Sequence, residues 1–234
     1  MTDLATYART RGRLETYFDR TAADAWAKLT SDAPVSGVRA TVRAGRDAMR
    51  ATLLGWLPDD MTGRRLLDAG CGAGQLSIEA ARRGAHVVGV DLSRTLLDLA
   101  RTRYADEQLA GSVEFHAGDM FDKGLGDFDH VVAMDSLIHY RAADITRVLE
   151  AFAGRASASV LFTFAPKTPL LSVMHAVGKL FPQGDRAPMI EPVGERSLRK
   201  RLAGSNLPAG WSPQRTERIQ SGFYTSQAME LARA

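Results

Sequence analysis

The segment Asp68-Ala69-Gly70-Cys71-Gly72-Ala73-Gly74 decides the fold, because it joins an apolar pair to a helix-like run. Leu66-Leu67 comes before it and the run 75–83 follows it, which predicts a strand, a glycine-rich turn and a helix start. Glycines let the backbone approach a ligand closely, and the first turn of a helix offers free N–H groups. The dinucleotide fingerprint G-x-G-x-x-G needs glycine where this chain has Gln75. The segment therefore predicts a ligand-cradling loop and disfavours a nicotinamide dehydrogenase.

Strand-like and helix-like segments alternate outward from this turn. Strands are predicted at Arg65 to Asp68, Ala85 to Asp91, Ser112 to His116, Phe128 to Met134 and Ser157 to Phe164. Helices are predicted up to Arg83, from an N-cap at Ser93 to about Tyr104, from Ala142 to Ala153 and from Gly194 to Gly204. Such alternation indicates an α/β fold, with a parallel sheet and helices on both of its faces.

The two ends of the chain differ from this middle part. The first 57 residues have a helical pattern, with a second helix expected from Val38 to Leu57, and the last strands are expected as a hairpin with Phe223-Tyr224 in its second strand. Prolines after strand five mark an insertion that contains one amphipathic helix, Leu170 to Phe181. We therefore expect an N-terminal helical lid (1–57), a Rossmann-like ligand-binding core (58–164), an inserted lid that binds substrate (165–205) and C-terminal strands that complete the sheet (206–234).

The composition is that of an ordinary soluble domain, with 45% hydrophobic and 24% charged residues and a net charge of +3. Basic residues are scattered and are not interleaved with aromatic ones, which argues against a nucleic-acid partner. Two regions lean basic, before residue 51 and between residues 167 and 201, and they fit either solvated helix faces or attraction to an anionic ligand or membrane surface. One cysteine argues against a disulfide or a metal cluster. The N-terminus lacks a signal-peptide pattern, so a cytoplasmic protein is expected.

Polar residues follow several of the predicted strands, and ligands of open α/β sheets bind beyond the carboxyl ends of the strands. Asp91 ends strand two, where it could accept hydrogen bonds from both hydroxyls of a ribose or cap a helix. Gly118-Asp119-Met120 follows strand three, and Asp135-Ser136-Leu137-Ile138-His139-Tyr140 follows strand four. If the latter begins a helical turn, Asp135 and Ser136 share a face with His139. His139 is then a candidate for catalysis or substrate positioning, or it packs on a cofactor and bonds Asp135.

The D-x-G-x-G-x-G run resembles the first motif of S-adenosylmethionine-dependent methyltransferases. The resemblance implies a Rossmann-like class I fold with a mostly parallel seven-stranded sheet. It also implies that the loop wraps the amino-acid end of S-adenosylmethionine and that Asp68 faces its ammonium group. Asp119 would bind the adenine amino group, and Met120 would pack on the ring. The complete set of cofactor-binding residues implied in this way is Asp68, Gly70, Gly72, Gly74, Asp91, Leu92, Asp119, Met120 and Asp135.

A more specific resemblance spans nearly the whole chain. Its segments, in order, are Tyr17-Phe18-Asp19 with Trp26, Val42-Arg43-x-Gly45-Arg46, the glycine loop, Asp135 to Tyr140, Phe164-Ala165-Pro166-Lys167-Thr168 and Phe223-Tyr224. Together they resemble the magnesium protoporphyrin IX methyltransferase family of chlorophyll and bacteriochlorophyll biosynthesis. The resemblance implies that one propionate of this porphyrin is methylated to the monomethyl ester, with S-adenosylhomocysteine as the other product. Magnesium enters only as part of the substrate, and no metal site is expected.

The same resemblance implies the substrate-binding residues. A flat, apolar macrocycle with two carboxylates needs a broad hydrophobic cleft with cations at one edge. His139 matches the family's histidine and is expected to orient the reacting carboxylate. Tyr17, Phe18 and Trp26 are expected to line or close the cleft, or to form the core of the lid. Tyr140 is expected to contact the substrate, and Lys167 or an N-terminal arginine is expected to meet a propionate.

Other readings remain open at this point. A methyltransferase for a quinone, lipid or polyketide would share the cofactor half, and a non-catalytic tetrapyrrole carrier would share the fold. A magnesium chelatase subunit that hands over the substrate, and a peripheral contact with the photosynthetic membrane, are expected partners of the porphyrin enzyme.

Overall fold

The computed structural model of the chain describes residues 2–21, 37–167 and 190–233. Helices and strands are numbered within these ranges. The helices are α1 Thr2–Thr16, α2 Val38–Gly55, α3 Gln75–Arg82, α4 Arg94–Arg103, α5 Ala142–Ala153 and α6 Glu195–Ala203. The strands are β1 Arg65–Ala69, β2 His86–Asp91, β3 Ser112–Ala117, β4 Phe128–Ala133, β5 Ala156–Phe164, β6 Trp211–Ser221 and β7 Tyr224–Arg233. A π-helical turn, Tyr17–Thr21, continues α1, and a short 3-10 turn spans Lys123–Leu125.

The strands form one seven-stranded sheet in the order β3-β2-β1-β4-β5-β7-β6. The strands β1 to β5 pair in parallel, and β7 runs antiparallel to both β5 and β6. The order reverses between β1 and β4, so the glycine loop after β1 and the connection after β4 lie side by side at the switch point. Open α/β sheets bind their ligands at such a point. The predicted α/β fold with a mostly parallel sheet is confirmed.

Two apolar cores cover the two faces of the sheet, because successive residues of a strand point to opposite faces. Leu67 and Val131 belong to one core, while their neighbours Leu66 and Val132 belong to the other. The first core contains the buried side of α5 and residues of α6 and α1, and the second contains the buried sides of α2 and α3. The predicted placement of helices on both faces is therefore confirmed.

The N-terminal helices have different neighbours. Tyr7 and Leu14 of α1 are buried over the carboxyl ends of the strands, whereas Met49 and Leu53 of α2 are fully buried against the sheet. Gly45 of α2 touches the ring of Tyr224 so closely that a Cβ there would lie 2.4 Å from it. Within 1–57, α1 therefore has the position of a cover and α2 that of a core helix. The division of the chain into units stays a prediction.

Most element boundaries agree with the sequence prediction within one or two residues. The N-cap at Ser93 is confirmed, since its hydroxyl accepts a hydrogen bond from the Leu96 N–H at 3.3 Å. The placement of Phe223 in the last strand is wrong: β7 begins at Tyr224, and Phe223 lies in the hairpin turn with its side chain 68% exposed. The predicted helix Leu170 to Phe181 lies outside the described residues. Within the described ranges, no helix combines the length and hydropathy needed to cross a membrane.

Candidate active site

A cavity lies at the carboxyl ends of β1 to β4, between the glycine loop, α1 and the β4–α5 connection. The predicted site residues that line it are Phe18, Asp68, Gly70, Gly72, Asp91, Leu92, Asp119, Met120, Asp135, His139 and Tyr140. Gly74, Tyr17 and Lys167 are described but do not line it, and Trp26 lies outside the described residues. The structure thus brings together in one cavity most of the residues predicted at four separate strand ends.

The glycine loop turns sharply because three of its residues have a left-handed backbone. Gly70, Gly72 and Gly74 have φ values of 85°, 53° and 78°, which other L-residues rarely adopt. Gly70 also lies against the β4–α5 connection, where an added Cβ would be 2.4 Å from the Cβ of Ser136. Gly74 caps α3, and an added Cβ would be 2.7 Å from the ring of Phe115. Gly74 therefore serves the packing of the loop on β3, while Gly70 and Gly72 face the cavity.

Two carboxylates lie beside the loop, of which Asp68 is buried and Asp91 is half-buried. Asp68 is 1% exposed and accepts a hydrogen bond of 2.6 Å from the Ser77 hydroxyl. Burial raises the pKa of Asp68 to about 7, although the Ser77 bond partly opposes this change. Asp91 accepts hydrogen bonds from the N–H groups of Gly72 at 2.8 Å and Ser93 at 2.9 Å, and burial raises its pKa as well. Two carboxylates in so little water favour a ligand that brings a positive charge and hydroxyl donors.

Asp119 connects the end of β3 to the N-terminal helix. Its carboxylate accepts hydrogen bonds from the Tyr7 hydroxyl and from the Arg11 guanidinium, both at 2.8 Å. The N–H of Phe121 donates to the same carboxylate at 2.9 Å. Burial raises the pKa of the Tyr7 hydroxyl, and the charge of Asp119 adds to the effect. The residue predicted to bind adenine is thus also the anchor of α1.

Aromatic rings form the wall of the cavity below α1. Tyr140 is 2% exposed and stacks on Tyr7 with ring centroids 5.1 Å apart. Phe18 lies 6.2 Å from the His139 ring, and Tyr17 packs edge-to-face against Phe18 at 5.2 Å. Of the predicted aromatic contacts, Phe18 and Tyr140 therefore face the cavity directly, and Tyr17 supports Phe18 from behind.

Asp135 lies at the end of β4 with a φ of 54°, a left-handed conformation in a residue other than glycine. Its carboxylate accepts hydrogen bonds from Arg46 at 2.9 Å, from the Tyr224 hydroxyl at 3.0 Å, from Ser226 at 3.2 Å and from Thr163 at 3.3 Å. The Asp135 side chain is 7% exposed, and that of Arg46 is 19% exposed. Asp135 lines the predicted cofactor cavity, and its carboxylate also holds α2, β5 and β7 to this turn.

The sequence reasoning missed Tyr7, Arg11 and Arg46. A signal for the first two was present, since Tyr7, Arg11, Leu14 and Phe18 follow each other at spacings of four, three and four residues and so share one helix face. Arg46 stood in a quoted segment, but no sequence pattern pairs a helix residue with a carboxylate 89 positions later.

The seven-stranded sheet, with β7 antiparallel to its neighbours, and the glycine-loop cavity with its acidic residues define a class I S-adenosylmethionine-dependent methyltransferase. A family model for a methyltransferase domain matches residues 66–156, and one for the C-terminus of magnesium-protoporphyrin IX methyltransferase matches residues 133–233. The chain belongs to the magnesium-protoporphyrin O-methyltransferase family, as the following relatives show.

The magnesium-protoporphyrin O-methyltransferase of Rhodobacter capsulatus is 52% identical over 96% of this chain and 97% of its own length. The enzyme of the same name from Synechocystis is 33% identical over 93% of this chain and 94% of its own length. A crystal structure of magnesium protoporphyrin IX methyltransferase from Synechocystis with bound S-adenosylhomocysteine has a TM-score of 0.77 at 31% identity, and the match covers 94% of this chain and 98% of that one. The cofactor of this chain is S-adenosylmethionine, as the resemblance implied.

Proposed function

We propose that this protein transfers the methyl group of S-adenosylmethionine to one propionate carboxylate of magnesium protoporphyrin IX, which gives the monomethyl ester and S-adenosylhomocysteine. The observation that supports this most strongly is the 52% identity to the Rhodobacter capsulatus enzyme over almost the entire length of both chains. A quinone or lipid methyltransferase would share the glycine loop and the sheet but would not need to share the α1 region.

The residues of the cavity fit the cofactor. S-adenosylmethionine, when bound, supplies an electrophilic sulfonium methyl group. Gly70 and Gly72 leave room for its amino-acid end, and Asp68 offers a buried carboxylate to its ammonium group. Asp91 and Asp119 line the same cavity, and within this proposal Asp91 offers acceptors to the ribose hydroxyls and Asp119 offers one to the adenine amino group.

The chain contributes alignment and desolvation more than proton transfer. A propionate is already ionised near neutral pH, so its oxygen needs little help from a base. Holding that oxygen in line with the methyl donor can lower the barrier by several kcal/mol. His139 lies on the cavity wall beside Phe18, a position from which its ring can orient a carboxylate by hydrogen bonding. The α1 helix covers this wall through Tyr7 and excludes water, which strengthens the hydrogen bonds inside.

Cations that line the cavity suit the second propionate of the substrate. Arg46 and Arg50 line the cavity, each with less than a fifth of its side chain exposed, and each forms an ion pair with a carboxylate of the protein. Lys167 lies exposed at the end of β5, where its N–H donates to the Val193 carbonyl. Within this proposal, the propionate that does not react is assigned to an N-terminal arginine of the cavity, such as Arg46 or Arg50, or to Lys167, which does not line it.

A turnover assay tests the function. The protein is incubated with S-adenosylmethionine and either magnesium protoporphyrin IX, metal-free protoporphyrin or a quinone precursor, and mass spectrometry detects an added methyl group. We expect one methyl group on the magnesium porphyrin. Methylation of the quinone precursor alone would overturn the proposed substrate, and binding of S-adenosylhomocysteine without any transfer would favour a tetrapyrrole carrier.

Binding of S-adenosylhomocysteine should weaken as the pH falls, because its ammonium group needs the ionised form of Asp68. The pKa of that carboxyl is raised from 3.8 to about 7, so at lower pH a proton must leave before the ligand binds. The dissociation constant should be lowest near pH 8, should rise roughly tenfold for each unit below pH 6, and should rise again where the ligand's ammonium group loses its proton. Calorimetry from pH 5 to 9 measures this slope. An Asp68→Asn variant should bind weakly with no such slope, and an unchanged slope in that variant would assign the titration elsewhere.

Replacement of His139 separates orientation from proton removal. His139→Ala should lower kcat by about 10- to 100-fold, which is the effect of losing one hydrogen bond to a charged group. His139→Gln can still donate a hydrogen bond but cannot act as a base, so it should recover part of the activity. His116→Ala, on the exposed end of β3, is the matched control and should leave turnover unchanged. A His139→Gln variant as inactive as His139→Ala would indicate a base.

Substrate delivery by a magnesium chelatase subunit and a peripheral contact with the photosynthetic membrane belong to the same proposal. Phe223 and Val38, which are 68% and 52% exposed, lie near each other because the hairpin turn packs on α2: a Cβ at Gly222 would be 2.3 Å from the Thr41 hydroxyl. An exposed apolar pair suits either surface. Flotation with anionic vesicles and co-purification with the chelatase subunit distinguish the two, and failure in both assays would overturn this part of the proposal.

A further inference from the structure

Ser136 carries the buried side-chain oxygen of the cavity for which the described residues offer no hydrogen-bond partner. It lies in the β4–α5 connection, directly after Asp135, and it lines the cavity together with His139. The acidic groups nearby are all engaged: Asp68 by Ser77, Asp91 by two backbone N–H groups and Asp135 by its own set of donors. A buried hydroxyl without a partner is costly to folding, so its presence needs an explanation.

The backbone on both sides holds Ser136 in this position. Asp135 has a left-handed φ of 54°, and the hydrogen bonds from Arg46, Tyr224 and Thr163 hold that turn in place. Opposite, Gly70 leaves the space that the Ser136 side chain fills, since a Cβ at Gly70 would be 2.4 Å from the Ser136 Cβ and 3.2 Å from its Oγ. Strained backbone of this kind is typical of functional sites.

The neighbourhood of Ser136 indicates which ligand group completes its hydrogen bond. Arg46 lines the same cavity and neutralises Asp135, so a second anion can approach this corner without strong repulsion. His139 lines it as well. A hydroxyl donor with a histidine and an arginine nearby suits a carboxylate, which can accept several hydrogen bonds at once. Both the substrate and the amino-acid end of the cofactor carry a carboxylate.

We propose that the Ser136 hydroxyl donates a hydrogen bond to the substrate carboxylate that receives the methyl group, and so helps to aim its oxygen. This inference rests on the proposed function. The cofactor's own carboxylate is the other source of the same chemistry, but the N–H groups at the start of α3, next to the glycine loop, already suit that group. The β4–α5 connection, which carries Ser136 and His139, is left for the acceptor.

Ser136→Ala tests the proposal by three measurements on the full-length protein: thermal unfolding without ligand, calorimetry with S-adenosylhomocysteine, and steady-state turnover of magnesium protoporphyrin IX. We expect a Tm equal to or above that of the wild type, because an unpaired buried hydroxyl is removed. Binding of S-adenosylhomocysteine should stay within about twofold, and kcat should fall about 10- to 100-fold. Ser159→Ala is the matched control. The buried Ser159 hydroxyl is hydrogen-bonded to the His130 ring at 2.8 Å and does not line the cavity. This variant should therefore have a lower Tm and an unchanged kcat.

Two other outcomes would overturn the proposal. A loss of S-adenosylhomocysteine affinity of tenfold or more would assign the hydroxyl to the cofactor's carboxylate. A parallel fall of Tm and kcat would make Ser136 a structural residue. Absence of wild-type turnover with magnesium protoporphyrin IX would instead refute the proposed function, so the two failures are distinguishable.

Discussion

Replacing Gly70 with alanine is expected to abolish measurable turnover and to weaken S-adenosylhomocysteine binding by more than 100-fold. Its φ of 85° places an L-residue in a left-handed conformation that costs about 1–2 kcal/mol. The new Cβ would also lie 2.4 Å from the Ser136 Cβ, and the resulting overpacking costs about 1–3 kcal/mol. The hydrogen bonds around Asp135 keep Ser136 from retreating, so the glycine loop itself must move. Calorimetry measures the binding, and urea unfolding measures the stability.

Two further glycines separate the causes. Gly63 has a φ of 73° and open space around it, so Gly63→Ala should lose about 1–2 kcal/mol of stability and keep its affinity for the cofactor. Gly72 has a φ of 53°, also without close neighbours, but it lines the cavity, so Gly72→Ala should weaken binding with the same modest loss of stability. If Gly70→Ala behaved like Gly63→Ala in the binding assay, close approach of the loop to the β4–α5 connection would not shape the cofactor subsite.

Features that depend on nearby residues were predictable from the sequence. The N-cap at Ser93, the bounds of α5 and the turn after β1 are each decided within a few positions, by a capping hydroxyl, by apolar periodicity and by glycine. The switch-point rule then placed Asp91, Asp119 and His139 at one edge of the sheet, and the cavity contains all three.

Features that depend on contacts between distant parts of the chain were not predictable. Tyr7 and Asp119 are separated by 112 positions, and Arg46 and Asp135 are separated by 89. A single sequence does not indicate which distant donors form hydrogen bonds with these carboxylates. Gly74 illustrates the same limit. Its close approach to Phe115 packs the loop on β3, and its predicted contact with the cofactor stays a prediction.

The hairpin shows how a residue with high strand propensity can lie in a turn. Phe223 has a high strand propensity and was placed in the last strand, but Gly222 with a φ of 56° ends the pairing just before it. Its side chain consequently points away from both cores and is 68% exposed. Tyr224, the next residue, begins β7, and its hydroxyl donates a hydrogen bond to Asp135. Neighbouring aromatic residues therefore have different environments: the Phe223 ring is exposed, and the Tyr224 ring is buried and supports the cavity residue Asp135.

Asp135→Ala is expected to lower the free energy of unfolding by about 3–5 kcal/mol. The Arg46 side chain is only 19% exposed, and the substitution removes the carboxylate with which it forms an ion pair. It also removes the acceptor of the Tyr224 hydroxyl, and it forces alanine into a φ of 54°, which aspartate and asparagine tolerate better. Asp135→Asn should therefore be less harmful, since it keeps the turn and loses only the charge. Urea unfolding at neutral pH measures both variants.

The ion pair between Arg82 and Glu107 is the control, because its side chains are 51% and 29% exposed. Arg82→Ala should lower the free energy of unfolding by less than about 1 kcal/mol. Asp135→Asn should also reduce turnover, even though it unfolds less readily than Asp135→Ala, because a looser turn no longer holds Ser136 against Gly70. Two results would contradict this account. One is an Asp135→Ala variant as stable as Arg82→Ala, and the other is an Asp135→Asn variant with full turnover. In either case the buried network would not be what fixes the β4–α5 connection beneath the reacting groups.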